Sequence, residues 1–429
     1  MKEKYKWVEC NHLHFNDTVS NQHFNEIEFI SIIMTEEDIK TISSVIDEEK
    51  EFFNSVSQNI WNSPELSFQE TFAHNILTDA LIKYGFSVQR NYLLQTAFRA
   101  EFTTGEGPRI AVLLEYDALP EIGHACGHNL IAEAGLAAAV GIKAAMEADS
   151  SIKGTIVALG TPAEESGGGK VKLIESGAFE GIDAAMMVHP DNINWFQPIL
   201  ICLLSLTVDY KGRESHASAF PWEGVNALDA AVTLYQNIGL LRQQMKPSSQ
   251  IRAIITKGGT VPNIIPAESR LAIYIRAPVK KELLEIKSKL EKCIEGAAMS
   301  TGCAYTINYD KEDSCDDLVT NKTMCELFTK FAERFGLADN GMPEIVPVGS
   351  TDMGNVSYVV PSIHPHIGIN TNSICHTKEF TTATGSPDAQ LPTLSAAKAM
   401  AMTVLSLMRD RQKLDQAKAE FKDHMTDLS

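Results

Sequence analysis

The chain contains several short apolar runs, and most of them end at residues that can bind a metal ion or carry a proton. Helical segments separate the runs, which indicates an α/β unit with a largely parallel sheet. In such a sheet the site lies beyond the carboxyl ends of the strands, where side chains distant in sequence meet. The runs and the residues that follow them are 110–114 with Glu115 and Asp117, 155–159 with Glu164 and Glu165, 184–188 with His189, and 345–348 with Asp352.

A different pattern occupies residues 201–310. Its order of strand, helix, two strands, helix and strand is typical of a ferredoxin-like unit. After residue 311 the α/β pattern resumes, with strands predicted at 344–348 and 363–369 and a final helix predicted at 388–412. We therefore predict an α/β fold, with a mostly parallel mixed sheet flanked by helices, interrupted by an inserted α+β ferredoxin-like domain. The predicted divisions are an N-terminal appendage at 1–33, an α/β domain in two parts at 34–200 and 312–429, and the inserted domain at 201–311.

The start of the globular fold is predicted near Met34, because the preceding residues show no clear hydrophobic period. Thr35 is followed by three acidic residues, which is typical of a helix N-cap and first turn. Truncation at Met34 is expected to leave activity intact.

Charge and cysteine content restrict the class of partner. Asp and Glu total 55 against 37 Lys and Arg, so the formal net charge is −18 over 429 residues. Nucleic acid and anionic membranes are poor partners for such a chain, because like charges repel. The eight cysteines show no zinc-knuckle spacing, and the N-terminus does not resemble a secretory signal. A reduced, cytoplasmic protein is expected.

The segment from His124 to Asn129 carries the sharpest chemical signal. Cys126 and His128 stand two residues apart just before an Ala-rich helix. Thiolate and imidazole at this spacing can face one metal ion. The alternative is a helix-capping turn that contains these residues by chance, and the ligand types favour the metal.

Glu164 and Glu165 follow a buried run and precede the glycine-rich loop 166–169. Adjacent glutamates usually lie on solvated surfaces, but this position favours a functional role. One carboxylate could hold a metal ion while the other takes a proton from the attacking water.

The remaining histidines are ambiguous by themselves. His189 ends an apolar run, and His376 lies between Cys375 and Thr377. Both become ligand candidates only if the first two segments form a metal site. His364 and His366 are expected to have packing or supporting roles.

Three polar residues stand out in the inserted domain: His216 after a strand, Asn263 in a turn-rich loop and Arg276 at a strand end. Each alone fits a capped turn, a turn asparagine or a solvated arginine. Together they supply a neutral donor, an amide and a bidentate cation, which suit a carboxylate and a developing oxyanion.

An ordered set of segments resembles one family along about 35 to 410. It is the family of di-metal exopeptidases and amidohydrolases that includes aminoacylase, glutamate carboxypeptidases, plant auxin-conjugate hydrolases and bacterial aminobenzoyl-glutamate hydrolase. The branch most similar contains the aminobenzoyl-glutamate hydrolase and dipeptidases acting on β-alanyl-lysine-type dipeptides. The matching segments are Asn62–Leu66, Glu115–Pro120, His124–His128, Pro162–Glu165, Val188–Pro190, Ser215–Ala217, Pro262–Pro266 and Gly349–Asp352.

The resemblance implies that the two-part α/β domain is catalytic and that the inserted domain at 201–311 is a lid or dimerisation domain. It also implies roles for individual residues. The implied metal ligands are Cys126, His128, Glu165, His189 and His376, with Cys126 bridging two divalent ions, either zinc or manganese, with cobalt as a further possibility. The implied catalytic residues are Glu164 as general base, Asp117, and His216 as an oxyanion donor reaching the partner subunit's site in a homodimer. Asn263 and Arg276 would hold the substrate's carboxylate. Asn129 and Thr351 depart from many relatives, which have acidic residues there.

The expected function is therefore a metallo-dipeptidase or amidohydrolase. It would cleave the amide bond of small-molecule substrates, dipeptides or N-acyl amino acids with a free carboxylate, by glutamate-assisted attack of water. Two alternatives are an amidase for aminobenzoyl-glutamate or another N-acyl amino acid, and a catalytically silent relative that binds peptides.

Overall fold

The computed structural model describes residues 34–343 and 349–427, and these form an α/β protein with an inserted α+β domain. The predicted fold class is confirmed. The appendage predicted at 1–33 and the strand predicted at 344–348 lie outside the described residues. The strands are β1 (Ser87–Arg90), β2 (Phe98–Thr103), β3 (Arg109–Leu114), β4 (Thr155–Gly160), β5 (Ala184–Met186), β6 (His189–Asp191), β7 (Cys202–Lys211), β8 (Gln250–Lys257), β9 (Glu268–Ala277), β10 (Ala304–Cys315), β11 (Ser362–Ile363) and β12 (His366–Gly368).

Helices flank the six-stranded and four-stranded sheets. Thr35 is the N-cap of the first helix, as predicted, and forms a capping box with Asp38. The helices are α1 (Glu36–Glu48), α2 (Lys50–Asn62), α3 (Thr71–Lys83), α4 (His128–Ala148), α5 (Gly169–Glu175), α6 (Ala227–Leu241), α7 (Lys280–Thr301), α8 (Lys322–Arg334), α9 (Met353–Ser357), α10 (Lys378–Thr384), α11 (Gln390–Arg409) and α12 (Arg411–Asp427).

The main sheet has six strands in the order β1-β2-β4-β3-β5-β11. Strands β4, β3, β5 and β11 are parallel, whereas β1 and β2 form an antiparallel edge. Residues 110–114 of β3 are buried on both faces of the sheet. This arrangement explains their continuous apolar sequence and brings the carboxyl ends of β3, β4 and β5 to one edge.

Helices α4 and α11 pack against each other over the main sheet. Segments His128–Ala148 and Pro387–Arg409 are long and apolar enough to cross a membrane by length and composition, and 89% and 94% of their apolar windows are buried inside the protein. Their apolar character is therefore accounted for by core packing.

The inserted domain has a four-stranded antiparallel sheet in the order β10-β7-β9-β8. Helices α6 and α7 pack on this sheet, so its element order is ferredoxin-like. Its β8 edge leaves apolar side chains in solvent, including Ile254, which is 63% exposed.

Three local predictions differ from the structure. The strand predicted at 363–369 is two short strands, because the chain changes partner at His364 and Pro365 from β5 to the separate β6. The sequence from Ile39 to Ile60 has apolar residues at helical spacing, and in the structure it divides between two helices that meet at Glu49. The final helix, predicted at 388–412, ends at Arg409, and α12 follows after the extended Asp410.

Candidate active site

A cleft of about 720 Å³ opens beyond the carboxyl ends of the parallel strands. Residues of the main domain and Arg276 of the inserted domain line it. Six of the residues predicted for the site line this cleft: Cys126, Glu164, Glu165, His189, Arg276 and His376. His128 and Asp117 are buried close to these residues.

The turn before α4 aims Cys126 and His128 at neighbouring positions. Gly127 between them has φ of 81° and is the N-cap of α4. A Cβ at Gly127 would lie 2.4 Å from Cγ of Pro190, so both the left-handed backbone and the close approach require glycine. Cys126 Sγ lies 3.3 Å from Nε2 of His189, although the two residues are far apart in sequence.

Asp117 fixes the orientation of His128. Its Oδ1 lies 2.9 Å from Nδ1 of His128, and its Oδ2 accepts a hydrogen bond from the backbone N–H of Glu165 at 3.0 Å. Burial raises the pKa of Asp117, but the charge and hydrogen bond of His128 outweigh burial and hold it below its usual range. An ionised Asp117 accepts the hydrogen of Nδ1, which leaves Nε2 as the ring nitrogen of His128 that faces the cleft.

Glu164 and Glu165 stand on a tightly constrained loop after β4. Ala163 has φ of 60°, and its N–H donates to Oε1 of the buried Glu70 at 2.9 Å. A Cβ at Gly169 would lie only 1.6 Å from the carbonyl oxygen of Pro162, so the loop cannot close with a larger residue. On this loop Glu164 lies beside Glu115 and Asp352, whereas Glu165 lies beside Cys126 and His376.

His189 and His376 reach the cluster from two other segments. His189 Nδ1 lies 2.8 Å from the carbonyl oxygen of Pro190, which leaves Nε2 facing Cys126. Burial, followed by the charges of His366 and His128, lowers the pKa of His189, so its imidazole is neutral. His376 has φ of 65°, and its Nε2 lies 3.5 Å from Oε2 of Glu165.

The cluster fits one or more divalent cations. His128 Nε2 and Glu165 Oε1 are buried and have no hydrogen-bond partner, a costly arrangement that a bound cation would relieve. Among the described residues, ligand atoms lie within 4.8 Å of one another in four groups: Cys126 with His128 and His189, Cys126 with Glu165 and His376, His128 with Glu164 and Glu165, and Glu115 with Glu164 and Asp352. Cys126 therefore belongs to two of the groups, as a bridging ligand would.

A buried lysine that the sequence analysis missed lies beneath Glu164. Lys170 Nζ is 2.5 Å from Glu115 Oε1 and 2.5 Å from Asp352 Oδ1. Burial raises the pKa of Glu164, and the nearby charges of Glu115, Glu165 and Asp352 raise it further. A raised pKa suits a carboxylate that must accept and return a proton. The sequence signal was Lys170 directly after the glycine-rich loop.

His366 and Asp191 form a second pair that the sequence analysis did not select. His366 Nδ1 lies 2.8 Å from Oδ2 of Asp191, and its ring stacks on His189 with centroids 4.9 Å apart. The supporting role predicted for His366 stays a prediction. Asp191 could have been found from strand alternation, because it stands two residues after His189.

His216 and Asn263 lie outside the cleft formed by one chain. Both belong to the inserted domain and are open to solvent, and the N–H of Ala217 donates to the carbonyl oxygen of Asn263 at 3.0 Å. Arg276, in contrast, lines the cleft and donates from Nη1 to Ser350 Oγ at 3.1 Å. The three residues predicted to bind substrate are therefore not brought together within one subunit.

Comparison with known proteins accounts for both parts of this architecture. The profile of the peptidase dimerisation domain matches residues 202–301. The Xaa-Arg dipeptidase of Mus musculus is 46% identical over 392 residues, which cover 88% of this chain and 90% of the relative. The chain belongs to the M20 peptidase family.

Two further M20-type comparisons agree with this assignment. One component of the p-aminobenzoyl-glutamate hydrolase of Escherichia coli is 30% identical over 324 residues, covering 71% of this chain and 66% of the relative. A Bacillus subtilis structure described as a dinuclear metal-binding peptidase of the M20 family superposes with a TM-score of 0.62 at 20% identity, covering 82% of this chain and 98% of that one. The resemblance and the predicted enzyme class, a metal-dependent hydrolase of peptide or amide bonds, are confirmed.

Proposed function

We propose that this M20 hydrolase is a dipeptidase that removes a C-terminal arginine or another basic residue from a dipeptide. The 46% identity to the Xaa-Arg dipeptidase over 90% of that protein carries the proposal. The cleft supports it, since it places a candidate metal cluster and Glu164 within reach of Arg276, a cation suited to a terminal carboxylate.

Two divalent ions would be held by Cys126, His128, Glu165, His189 and His376. One thiol and three imidazoles favour zinc, and the carboxylate tolerates manganese or cobalt. Hydrogen bonding by Cys375 and burial raise the pKa of the Cys126 thiol, so a neighbouring cation is needed for this group to ionise. Bound in this cluster, such ions would polarise the scissile carbonyl and lower the pKa of the attacking water.

Glu164 would move the proton in both halves of the reaction. Its carboxylate takes a proton from the water as the oxygen attacks the amide carbon. The same proton then passes to the amide nitrogen as the C–N bond breaks, which yields a free acid and a free amine. Ser350 is placed to orient the substrate indirectly, because its hydroxyl accepts from Arg276 and donates to the carbonyl oxygen of Ile201 at 2.7 Å.

A homodimer built through the inserted domain would complete each site. His216 accepts hydrogen bonds at Nδ1 from the backbone N–H groups of Ser218 at 3.3 Å and Ala219 at 3.2 Å. Its Nε2 therefore carries the hydrogen and is free to donate to a developing oxyanion. Because His216 and Asn263 lie together outside their own cleft, both would enter the partner's cleft, where Asn263 would assist Arg276.

A second candidate is an amidase for aminobenzoyl-glutamate or another N-acyl amino acid. The 30% identity to the Escherichia coli hydrolase favours it. So does the apolar wall of the cleft, which includes Ile193, Trp195 and Leu200 and could accommodate an aromatic acyl group.

A panel of substrates separates these functions. The purified protein, loaded with zinc or manganese, is tested on Xaa-Arg and Xaa-Lys dipeptides, aminobenzoyl-glutamate and N-acetyl amino acids, with and without chelator. Chelator-sensitive hydrolysis that is fastest for the basic dipeptides supports the first function. Preference for the acyl substrates supports the second, whereas full metal loading without hydrolysis indicates a silent peptide-binding relative.

A cytoplasmic location is also proposed, since the seven cysteines in the described part of the chain are free.

A further inference from the structure

Asp191 places a negative charge inside the cleft on the same strand as His189. The two residues are the ends of β6, and alternate side chains of a strand point to the same face. The carboxylate therefore lies about 7 Å along the strand from the imidazole. Both side chains line the cleft, and that of Asp191 is 17% exposed.

The other acidic groups near the cleft already have partners or roles. Glu164 and Glu165 belong to the candidate metal and proton-transfer cluster. Glu115 and Asp352 share an ion pair with Lys170 beneath the cleft. Among the described residues that line the cleft, Asp191 is thus the one carboxylate outside that cluster.

Asp191 is held in place with bonding capacity to spare. Its Oδ2 accepts from His366 Nδ1 at 2.8 Å, and its Oδ1 accepts from the backbone N–H of Asn192 at 2.7 Å. A carboxylate has about four lone-pair positions, so roughly two stay free for another donor. Trp195 also lines the cleft, although only 4% of the residue is exposed, and adds an aromatic contact at its wall.

Opposite charges therefore stand at different positions in one cleft. Arg276, fixed by Ser350, suits the α-carboxylate of the substrate's C-terminal residue. We propose that Asp191, together with Trp195, forms the subsite for the cationic side chain of that same residue. The proposal rests on the proposed dipeptidase function and makes Asp191 its specificity-determining residue. The distance of about 7 Å along the strand between Asp191 and His189 is comparable to the length of an arginine side chain.

The test compares arginine with citrulline, its uncharged isostere, at the C-terminal position of a dipeptide. The wild-type enzyme should have a higher kcat/KM for the arginine substrate. Asp191→Asn removes the charge and keeps one of the two acceptor oxygens that His366 and Asn192 use. It should reduce kcat/KM for Xaa-Arg by about 10- to 100-fold, as expected for loss of a charged hydrogen-bond partner, and change Xaa-citrulline little. Asp415→Asn, at a surface position on α12, is the control and should keep the wild-type ratio.

The ratio of kcat/KM for the arginine substrate to kcat/KM for the citrulline substrate is compared between enzymes. Damage to the metal cluster would lower both values together, whereas loss of recognition would change their ratio. A wild-type preference for arginine that Asp191→Asn retains would overturn the subsite. No wild-type preference would instead overturn the proposed substrate class. If the variant has too little activity to assay, its metal content is measured first. Inhibition of the wild type by free L-arginine is then compared with calorimetric binding of L-arginine and L-citrulline to the metal-loaded variant. Undiminished selective binding of L-arginine would also overturn the assignment.

Discussion

Lys170 and Asp352 form an ion pair inside the protein, with Nζ 2.5 Å from Oδ1 and side-chain exposures of 0% and 1%. The backbone N–H of Lys170 also donates to Oδ2 of Asp352 at 2.9 Å. Asp352 begins α9, next to the loop that carries Ser350, whereas Lys170 lies in the first turn of α5 after the Glu164 loop. The pair therefore connects the loop that carries Glu164 to the part of the cleft wall where Ser350 binds Arg276.

Replacing Lys170 by Met should destabilise the fold by about 3–5 kcal/mol, because two buried carboxylates lose their cation. The free energy of unfolding from denaturant titration measures this. Lys172→Met, which removes a partly exposed ion pair with Glu312, should cost at most about 1 kcal/mol. Equal losses of unfolding free energy in the two variants would show that the buried ion pair stabilises the fold no more than the partly exposed one.

Glu164→Gln should lower kcat by about 10²- to 10⁴-fold, the range associated with a positioned general base. Metal content, measured on the same preparation, should stay near the wild-type value, because the proposed ligand is Glu165. Glu165→Gln is the matched variant and should lose metal as well as activity. A Glu164→Gln enzyme that turns over at close to the wild-type rate would remove Glu164 from the mechanism.

Asp117→Asn should weaken metal binding by about 10- to 100-fold, since His128 loses the carboxylate that fixes its tautomer and ring orientation. Competition with a chelator gives the metal dissociation constants of the folded protein. Ser67→Ala removes a 3.3 Å hydrogen bond to the same carboxylate and leaves the contact with His128 in place. Its metal affinity should match that of the wild type.

Glu133 should make stability fall as pH rises. Burial on α4 raises its pKa from 4.5 to about 7, and its Oε1 has no hydrogen-bond partner. Because the folded-state pKa is the higher one, the contribution is complete below about pH 4.5 and is lost as pH passes about 7, a change of about 3 kcal/mol at about 1.4 kcal/mol per pKa unit.

Glu133→Gln should remove this dependence and be more stable than the wild type at pH 8. Denaturant titrations from about pH 4 to about pH 8.5, which span both pKa values, measure it. Glu147→Gln on the same helix is the control, since that side chain is 53% exposed. Parallel pH curves for the wild type and Glu133→Gln would contradict the prediction.

Mixed dimers test whether His216 acts in the partner subunit. Glu164→Gln and His216→Ala homodimers should each be nearly inactive. After dissociation and reassociation in equal amounts, half of the dimers are mixed, and each has one intact site, so about one quarter of wild-type activity should return. Activity that stays at the level of the separate variants would place His216 outside the partner's site.

Much of the site could be predicted from the sequence, because each ligand candidate follows a local signal. Cys126 and His128 flank the left-handed Gly127, Glu164 and Glu165 follow a buried strand, and His189 ends another apolar run. Such features depend on a few neighbouring residues. The order of these segments resembles one family, and that resemblance indicated the enzyme class. The roles of the individual ligands stay predictions.

The sequence by itself determined the alternation of strands and helices, the order of the inserted domain and the residue types at the strand ends, since hydrophobic period and turn chemistry are local properties. Only the tertiary structure decided that Lys170 is buried between two acids, that Asp191 pairs with His366, and that the strand predicted at 363–369 divides between two partners. These contacts join segments up to 182 residues apart, as in the hydrogen bond from Lys170 to Asp352. They depend on which strands become neighbours, and packing of the whole chain determines that choice.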